Sequence, residues 1–128
     1  MRMSASSFCI FEYLYRDAGN FKAWGALLLI GELTEAQITV MRSKFEGGEF
    51  FIAEQIGVPP LYQELWDYSD GPTENDHVWH EFFALRSAEE NDLVEGTPWG
   101  TAGALFTAVS GIARWNERLS PHWEVASW

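Results

Sequence analysis

The sequence predicts a single α+β domain over residues 1–128, in which helices pack on one face of a mostly antiparallel sheet of about four strands. Three observations lead to this fold class. Hydrophobic residues make up 47% and aromatic residues 16% of the 128 residues, which is sufficient for one core. Runs rich in β-formers alternate with segments of helical periodicity. Turn residues separate these segments, and neither a linker nor an internal repeat divides the chain.

Four runs rich in aromatic and β-branched residues predict the strands. Turn residues at 17–20 join the first two runs, which predicts a hairpin, and Gly25 in the second run marks a candidate bulge. The fourth run begins at His77, where a helix is the alternative. The predicted strands are residues 7–15, 21–30, 49–54 and 77–85.

Two shorter helices are predicted from end signals. Thr34 and Gln37 have the spacing of a capping box, and Gly47 with Gly48 ends the helix that they begin. Residues 60–66 begin with a proline and carry leucines one turn apart, which predicts a short second helix.

The longest predicted helix follows residues 97–100 and ends before Pro121. Its apolar residues recur at intervals of three and four, which predicts a buried stripe along one side. This stripe consists of Leu105, Ala108, Ile112, Trp115 and Leu119. The acidic and polar residues 87–96, which precede it, predict a loop or a frayed turn.

Negative charge is concentrated in one part of the chain. The formal net charge is −11, from 19 acidic and 8 basic residues. Residues 64–95, called the acidic segment below, hold ten acids and one base, Arg86, and so carry −9 of this charge. Such a field repels nucleic acids and anionic membranes and attracts a basic partner or a hard cation. The alternative is a solvated face that only keeps the chain soluble.

Apolar runs and cysteine content indicate the compartment. No apolar run is long enough to cross a membrane, and Glu12 interrupts the stretch that would form a signal peptide. The single cysteine, Cys9, excludes an internal disulfide, and a cytoplasmic location is predicted. Because Cys9 lies in a hydrophobic run, we expect a buried, inert thiol.

Phosphate-binding loops and nucleophile motifs are absent from the sequence, so we expect no cofactor and no catalytic residue.

Aromatic side chains accompany the acids in the centre of the chain. Tryptophan and tyrosine combine a large apolar area with a polar atom and are frequent anchors in protein interfaces. Carboxylates on a neighbouring loop would steer a basic partner toward them. The predicted binding residues are Trp66, Asp67, Tyr68, Asp70, Glu74, Asp76, His77 and Trp79. The alternative is that most of the tryptophans fill the core.

A second candidate site consists of His77, His80 and Glu81, whose imidazoles and carboxylate are the groups that zinc or a general base would use. In a helix the three side chains share one face, whereas in a strand His77 and His80 point to opposite sides. The strand is favoured, so no metal ligand set is predicted. An EF-hand loop is also excluded, because aligning Gly71 with the glycine of that motif places Trp66 and Tyr68 at ligand positions, which leaves only a calcium site of another type as an alternative.

Three stretches of the sequence resemble an uncharacterised family of small acidic bacterial proteins with no assigned function. The stretches are residues 13–18 (YLYRDA), 48–55 (GEFFIAEQ) and 71–81, which runs from GPT to HVWHE. The resemblance covers residues 8–86 and implies a bacterial or mobile-element origin. It transfers no functional residue to this chain.

These features support three functional hypotheses. The leading one is a non-catalytic protein-binding module that uses an acidic, aromatic-rich surface to bind another protein, with a basic protein as the favoured partner. The second is an inhibitor encoded by a phage or mobile element, which mimics nucleic acid and binds a basic nucleic-acid-binding protein. The third is a metal-binding protein or enzyme centred on His77, His80 and Glu81. The sequence does not determine the oligomeric state.

Overall fold

The computed structural model describes residues 8–17, 19–61, 77–94 and 96–119, and the fold is α+β as predicted. The strands are β1 (Phe8–Arg16), β2 (Lys22–Ile30), β3 (Phe50–Ile52), β4 (Trp79–Ser87) and β5 (Gly100–Thr101). The helices are α1 (Glu35–Lys44), α2 (Ala53–Ile56), α3 (Glu90–Val94) and α4 (Ala102–Ser110), followed by a 3₁₀ turn at Glu117–Leu119. Within these residues, no helix is long and apolar enough to cross a membrane.

Among the residues that the structure describes, the sheet has five strands in the order β3-β4-β1-β2-β5, so the predicted number of about four is corrected. β1 pairs antiparallel with both β2 and β4, and β4 pairs antiparallel with β3. β5 pairs parallel with β2 at Leu29 and Ile30, which makes the sheet mixed. A strand of two residues is too short for a period-2 pattern, and its Thr101 also caps α4 by accepting a hydrogen bond from the Ala104 N–H.

Both faces of β1 are covered. Cys9, Phe11 and Tyr13 face the main core together with residues of α1, α2 and α4, while Phe8 and Ile10 lie on the opposite face. There they pack with Leu28 and Ala88, and Leu93 of α3 contacts this smaller cluster. The prediction that helices cover only one face is therefore wrong for α3, which lies in residues predicted to form a loop or a frayed turn.

The hairpin is confirmed, but its irregularity lies elsewhere than predicted. β1 and β2 pair in continuous register past Gly25, whereas the pairing of β1 with β4 shifts between Glu12 and Tyr13. The extra residue at this shift belongs to β4, so the bulge lies in β4 and not in β2. Gly25 is needed for close packing instead, because a Cβ there would lie 2.9 Å from Cε1 of Tyr13 and 3.0 Å from the methyl groups of Leu61.

The capping box of α1 is confirmed by two reciprocal hydrogen bonds. The Gln37 N–H donates to Thr34 Oγ1 at 3.1 Å, and the Thr34 N–H donates to Gln37 Oε1 at 2.9 Å. The third predicted strand is only partly correct, since its last two residues begin α2. α2 ends at Gly57, which adopts a left-handed conformation with φ of 76°. The predicted helix at 60–66 lies mostly outside the described residues.

α4 is shorter than the predicted longest helix. It ends at Ser110 and is capped by Gly111, so the predicted stripe does not continue along one helix. Leu105 is fully buried as expected, together with Ala102 and Val109, but Leu119 is 53% exposed. Beyond Gly111 the chain leaves the helix, and residues 112–115 line a cleft beside the sheet.

Candidate functional site

The predicted binding residues divide into two groups. His77 and Trp79 are described and lie at the start of β4. The remaining members lie outside the described residues: Trp66, Asp67, Tyr68, Asp70, Glu74 and Asp76.

His77 is buried and held in one tautomer by backbone groups. Its Nδ1 accepts a hydrogen bond from the Trp79 N–H at 3.0 Å. Its Nε2 lies 2.7 Å from the carbonyl oxygen of Arg16 and therefore carries the proton. The His77 N–H in turn donates to the hydroxyl of Tyr15 at 3.1 Å. The ring thus fixes the bend that leads into β4.

His80 is fully buried in the main core. Its Nε2 accepts a hydrogen bond from the Leu61 N–H at 2.9 Å, so the proton of the neutral ring lies on Nδ1. Burial lowers the pKa of His80 from 6.5 to about 3, and the neighbouring His77 lowers it further, against the opposing effect of a backbone hydrogen bond at Val78. His80 is therefore neutral at physiological pH.

The two histidines do not point to opposite sides, contrary to the expectation for a strand. Both rings contact Tyr15, with centroid distances of 5.2 Å for His77 and 5.4 Å for His80. The reason is that β4 begins only at Trp79, so His77 precedes the strand and does not follow its alternation. Their nitrogens serve backbone hydrogen bonds. In the part of the chain that is described, no three His, Cys, Asp or Glu side chains gather to hold a metal ion.

Glu81, the third member of the second candidate site, is separated from His80 by the sheet. Its carboxylate forms an ion pair with Arg16, with 3.2 Å between Oε1 and Nε. Arg16 also donates a hydrogen bond to Oδ1 of Asn20 at 2.7 Å. The structure therefore places Glu81 in a surface ion pair rather than in a cluster with the two imidazoles.

His77, Trp79 and Glu81 do share one larger feature, a cleft of about 920 Å³ beside β3 and β4. The hairpin loop borders it on one side. The opposite side consists of residues 43–46 at the end of α1 and residues 112–115, which follow α4. The volume lies within the usual range for small-molecule sites. The sequence did not predict this cleft, because its walls come from segments far apart in the chain.

Residues 112–117, called the strap below, are fastened along the cleft by side chains. Gln55 of α2 donates to the carbonyl oxygen of Arg114 at 2.9 Å and accepts from the Asn116 N–H at 2.8 Å. The indole N–H of Trp115 donates to the carbonyl oxygen of Lys44 at 2.8 Å. Trp79 donates from its indole to Glu117 at 3.0 Å. These bonds join the strap to α1, α2 and β4.

A second surface lies on the sheet face that is opposite α1 and α4. Trp24 of β2 and Phe83 of β4 meet edge to face across β1, with centroids 5.2 Å apart and an interplanar angle of 88°. They are 54% and 58% exposed, although Leu14 between their strands is only 2% exposed. We call Trp24 and Phe83 the aromatic surface.

The aromatic surface has a charged rim. A shallow depression that contains both rings is also lined by Arg16, Glu81 and Arg42. Since Arg16 and Glu81 line the cleft as well, their ion pair separates the two features. Sequence reasoning overlooked Trp24, although strand alternation places it on the side of Lys22 and opposite the buried Ala23.

Comparison of the chain with protein-family models, curated proteins and solved structures finds no match.

Proposed function

We propose that the chain is a non-catalytic protein-binding module that contacts its partner through the aromatic surface. The observation that carries this proposal is the exposure of Trp24 and Phe83 as a paired cluster. Contiguous exposed apolar side chains with a polar rim are typical of protein-interaction sites. Tryptophan is also the residue most enriched among those that dominate binding energy.

The geometry favours binding because the two rings are held in place before a partner arrives. Each ring projects from a β-strand, and the edge-to-face contact restricts both side chains. Little rotamer entropy is then lost on association. Leu14 lies beneath them as a buried support.

The proposed partner is a basic protein. This part of the proposal rests on the net charge of −11 and on its concentration in the acidic segment. Opposite charge raises the association rate, whereas a desolvated aromatic anchor mainly prolongs the lifetime of the complex. A basic nucleic-acid-binding protein, as in the inhibitor hypothesis, is one class of partner with this chemistry.

The test compares two variants of exposed apolar residues against a partner recovered from a bacterial lysate. Trp24→Ala is expected to weaken the affinity by on the order of 30-fold or more, the effect of losing a dominant anchor. Val40→Ala is the matched control, because Val40 is 43% exposed but lies on α1, which packs on the other face. Its affinity should stay close to that of the parent chain.

Surface-binding kinetics at several salt concentrations complete the test. The association rate should fall as salt rises, and Trp24→Ala should act mainly on dissociation. Equal affinities for Trp24→Ala and Val40→Ala would refute the aromatic surface as the binding site. Competition by duplex DNA would place the partner among nucleic-acid-binding proteins.

A further inference from the structure

The cleft contains two cations that have no part in the proposed function. Lys44 ends α1, and Arg114 lies in the strap, on the same side of the cleft. Both are exposed, and neither side chain makes an ion pair or a hydrogen bond with another described residue.

Hydrogen bonds hold the backbone segments that carry these two cations close to each other. Trp115 follows Arg114 directly and reaches the carbonyl oxygen of Lys44 through its indole N–H, at 2.8 Å. Gln55 fixes the carbonyl oxygen of Arg114 at 2.9 Å. Two positive charges thus line the same cleft, and both would attract an anion bound there.

Aromatic side chains line the same cleft. Trp79 and Trp115 are half-buried, with centroids 6.4 Å apart and planes inclined at 67°. Hydrogen bonds to Glu117 and to the carbonyl of Lys44 fix both indoles. Fixed indole faces that border an open volume are suited to stacking with a flat ring.

The other charges of the cleft are mostly engaged. Arg16 is paired with Glu81 at 3.2 Å, and Oδ1 of Asp17 accepts a hydrogen bond from the Phe21 N–H at 3.0 Å. Asp17 and Glu46 both line the cleft without an ion pair within the described residues, so each keeps its negative charge there. A bound anion would therefore be oriented toward Lys44 and Arg114 and away from Asp17 and Glu46.

We propose that the cleft binds a small organic anion, a carboxylate or phosphate attached to a flat ring. The ring stacks on one of the indoles of Trp79 and Trp115 and meets the other edge to face, while the anionic group contacts Lys44 and Arg114. The cleft of about 920 Å³ accommodates a ligand of this size. This inference is independent of the proposed function, because the aromatic surface lies on the other side of the Arg16–Glu81 pair.

The experiment uses two pairs of probes that differ in charge. Indole-3-carboxylate is compared with indole-3-carboxamide, and adenosine monophosphate with adenosine, by calorimetric titration of the full chain. At least one anion should bind about 10-fold more tightly than its neutral analogue, which corresponds to roughly 1.4 kcal/mol. The pair with the larger ratio indicates whether carboxylate or phosphate is preferred.

Variants then assign the binding to the cleft. The double variant Lys44→Met with Arg114→Met should abolish the preference for the anion, whereas Trp79→Ala should weaken both members of a pair. Lys22→Met, at an exposed cation on β2 outside the cleft, is the control and should leave both affinities unchanged. Absence of saturable binding, equal affinities within both pairs, or a preference that survives in the double variant would overturn the proposal.

Discussion

Acid should destabilise this protein through His80. The ring titrates near 6.5 when it is exposed and near 3 in the folded chain, because burial disfavours the imidazolium. Between these values the unfolded state binds a proton that the folded state does not bind. Stability is therefore lost as the pH falls below about 6.5, at a slope approaching 1.4 kcal/mol per pH unit.

The magnitude follows from the two pKa values. Between pH 8 and pH 5 the linkage amounts to about 2 kcal/mol, a sizeable part of the 5–15 kcal/mol that is typical of small domains. Most carboxylates titrate below this interval, so they contribute little to the change. The hydrogen bond from the Leu61 N–H acts in the same direction as burial. It also disfavours protonation of His80, because a protonated Nε2 could no longer accept this hydrogen bond.

Urea unfolding at pH 8, 6.5 and 5, followed by tryptophan fluorescence, measures this loss. In His80→Gln the amide oxygen can accept the Leu61 N–H, but the side chain does not titrate, so the loss of stability between pH 8 and pH 5 should be smaller than in the parent chain. Ile56→Val is the control: it removes a methylene from a buried side chain, costs roughly 0.5–1.5 kcal/mol, and should keep the parental slope. A parent chain of constant stability over this range, or an unchanged slope in His80→Gln, would refute the reasoning.

Three further predictions concern packing and access, and each is checked by one measurement. Gly25→Ala should lower the free energy of unfolding by roughly 1–3 kcal/mol, because its Cβ would lie 2.9 Å from a tyrosine ring carbon. A Cβ at Gly100 meets no atom within 4 Å, so Gly100→Ala should cost less, and similar denaturation midpoints for the two variants would contradict this prediction. Leu105→Ala should cost about 2–5 kcal/mol and Leu119→Ala under about 0.5 kcal/mol in the same assay, because the first side chain is fully buried and the second is 53% exposed. Cys9 should react with a thiol reagent at pH 8 only after urea unfolding, because it is 2% exposed and burial raises the pKa of its thiol to about 11. Stoichiometric labelling of the folded chain within minutes would contradict this prediction.

Sequence patterns predicted the features that depend on neighbouring residues. The capping box of Thr34 and Gln37 uses groups three residues apart, so it could be read directly. The hairpin followed from turn residues between two apolar runs, and the burial of Cys9 from the run around it. Strand alternation could also have placed Trp24 on the face opposite Ala23, because it assigns the side chains of a strand to alternate faces. It does not reveal whether other elements cover that face.

The tertiary structure alone determined the features that depend on contacts between distant segments. β5 exists only because two residues meet the end of β2, and the path of the strap is set by Gln55, about sixty positions earlier in the sequence. The contact of His77 with Tyr15 results from a bend held by the carbonyl of Arg16, which no local pattern encodes. A local pattern fixes how a residue is oriented within its own element, whereas exposure, clefts and shared contacts depend on how separate elements pack against one another.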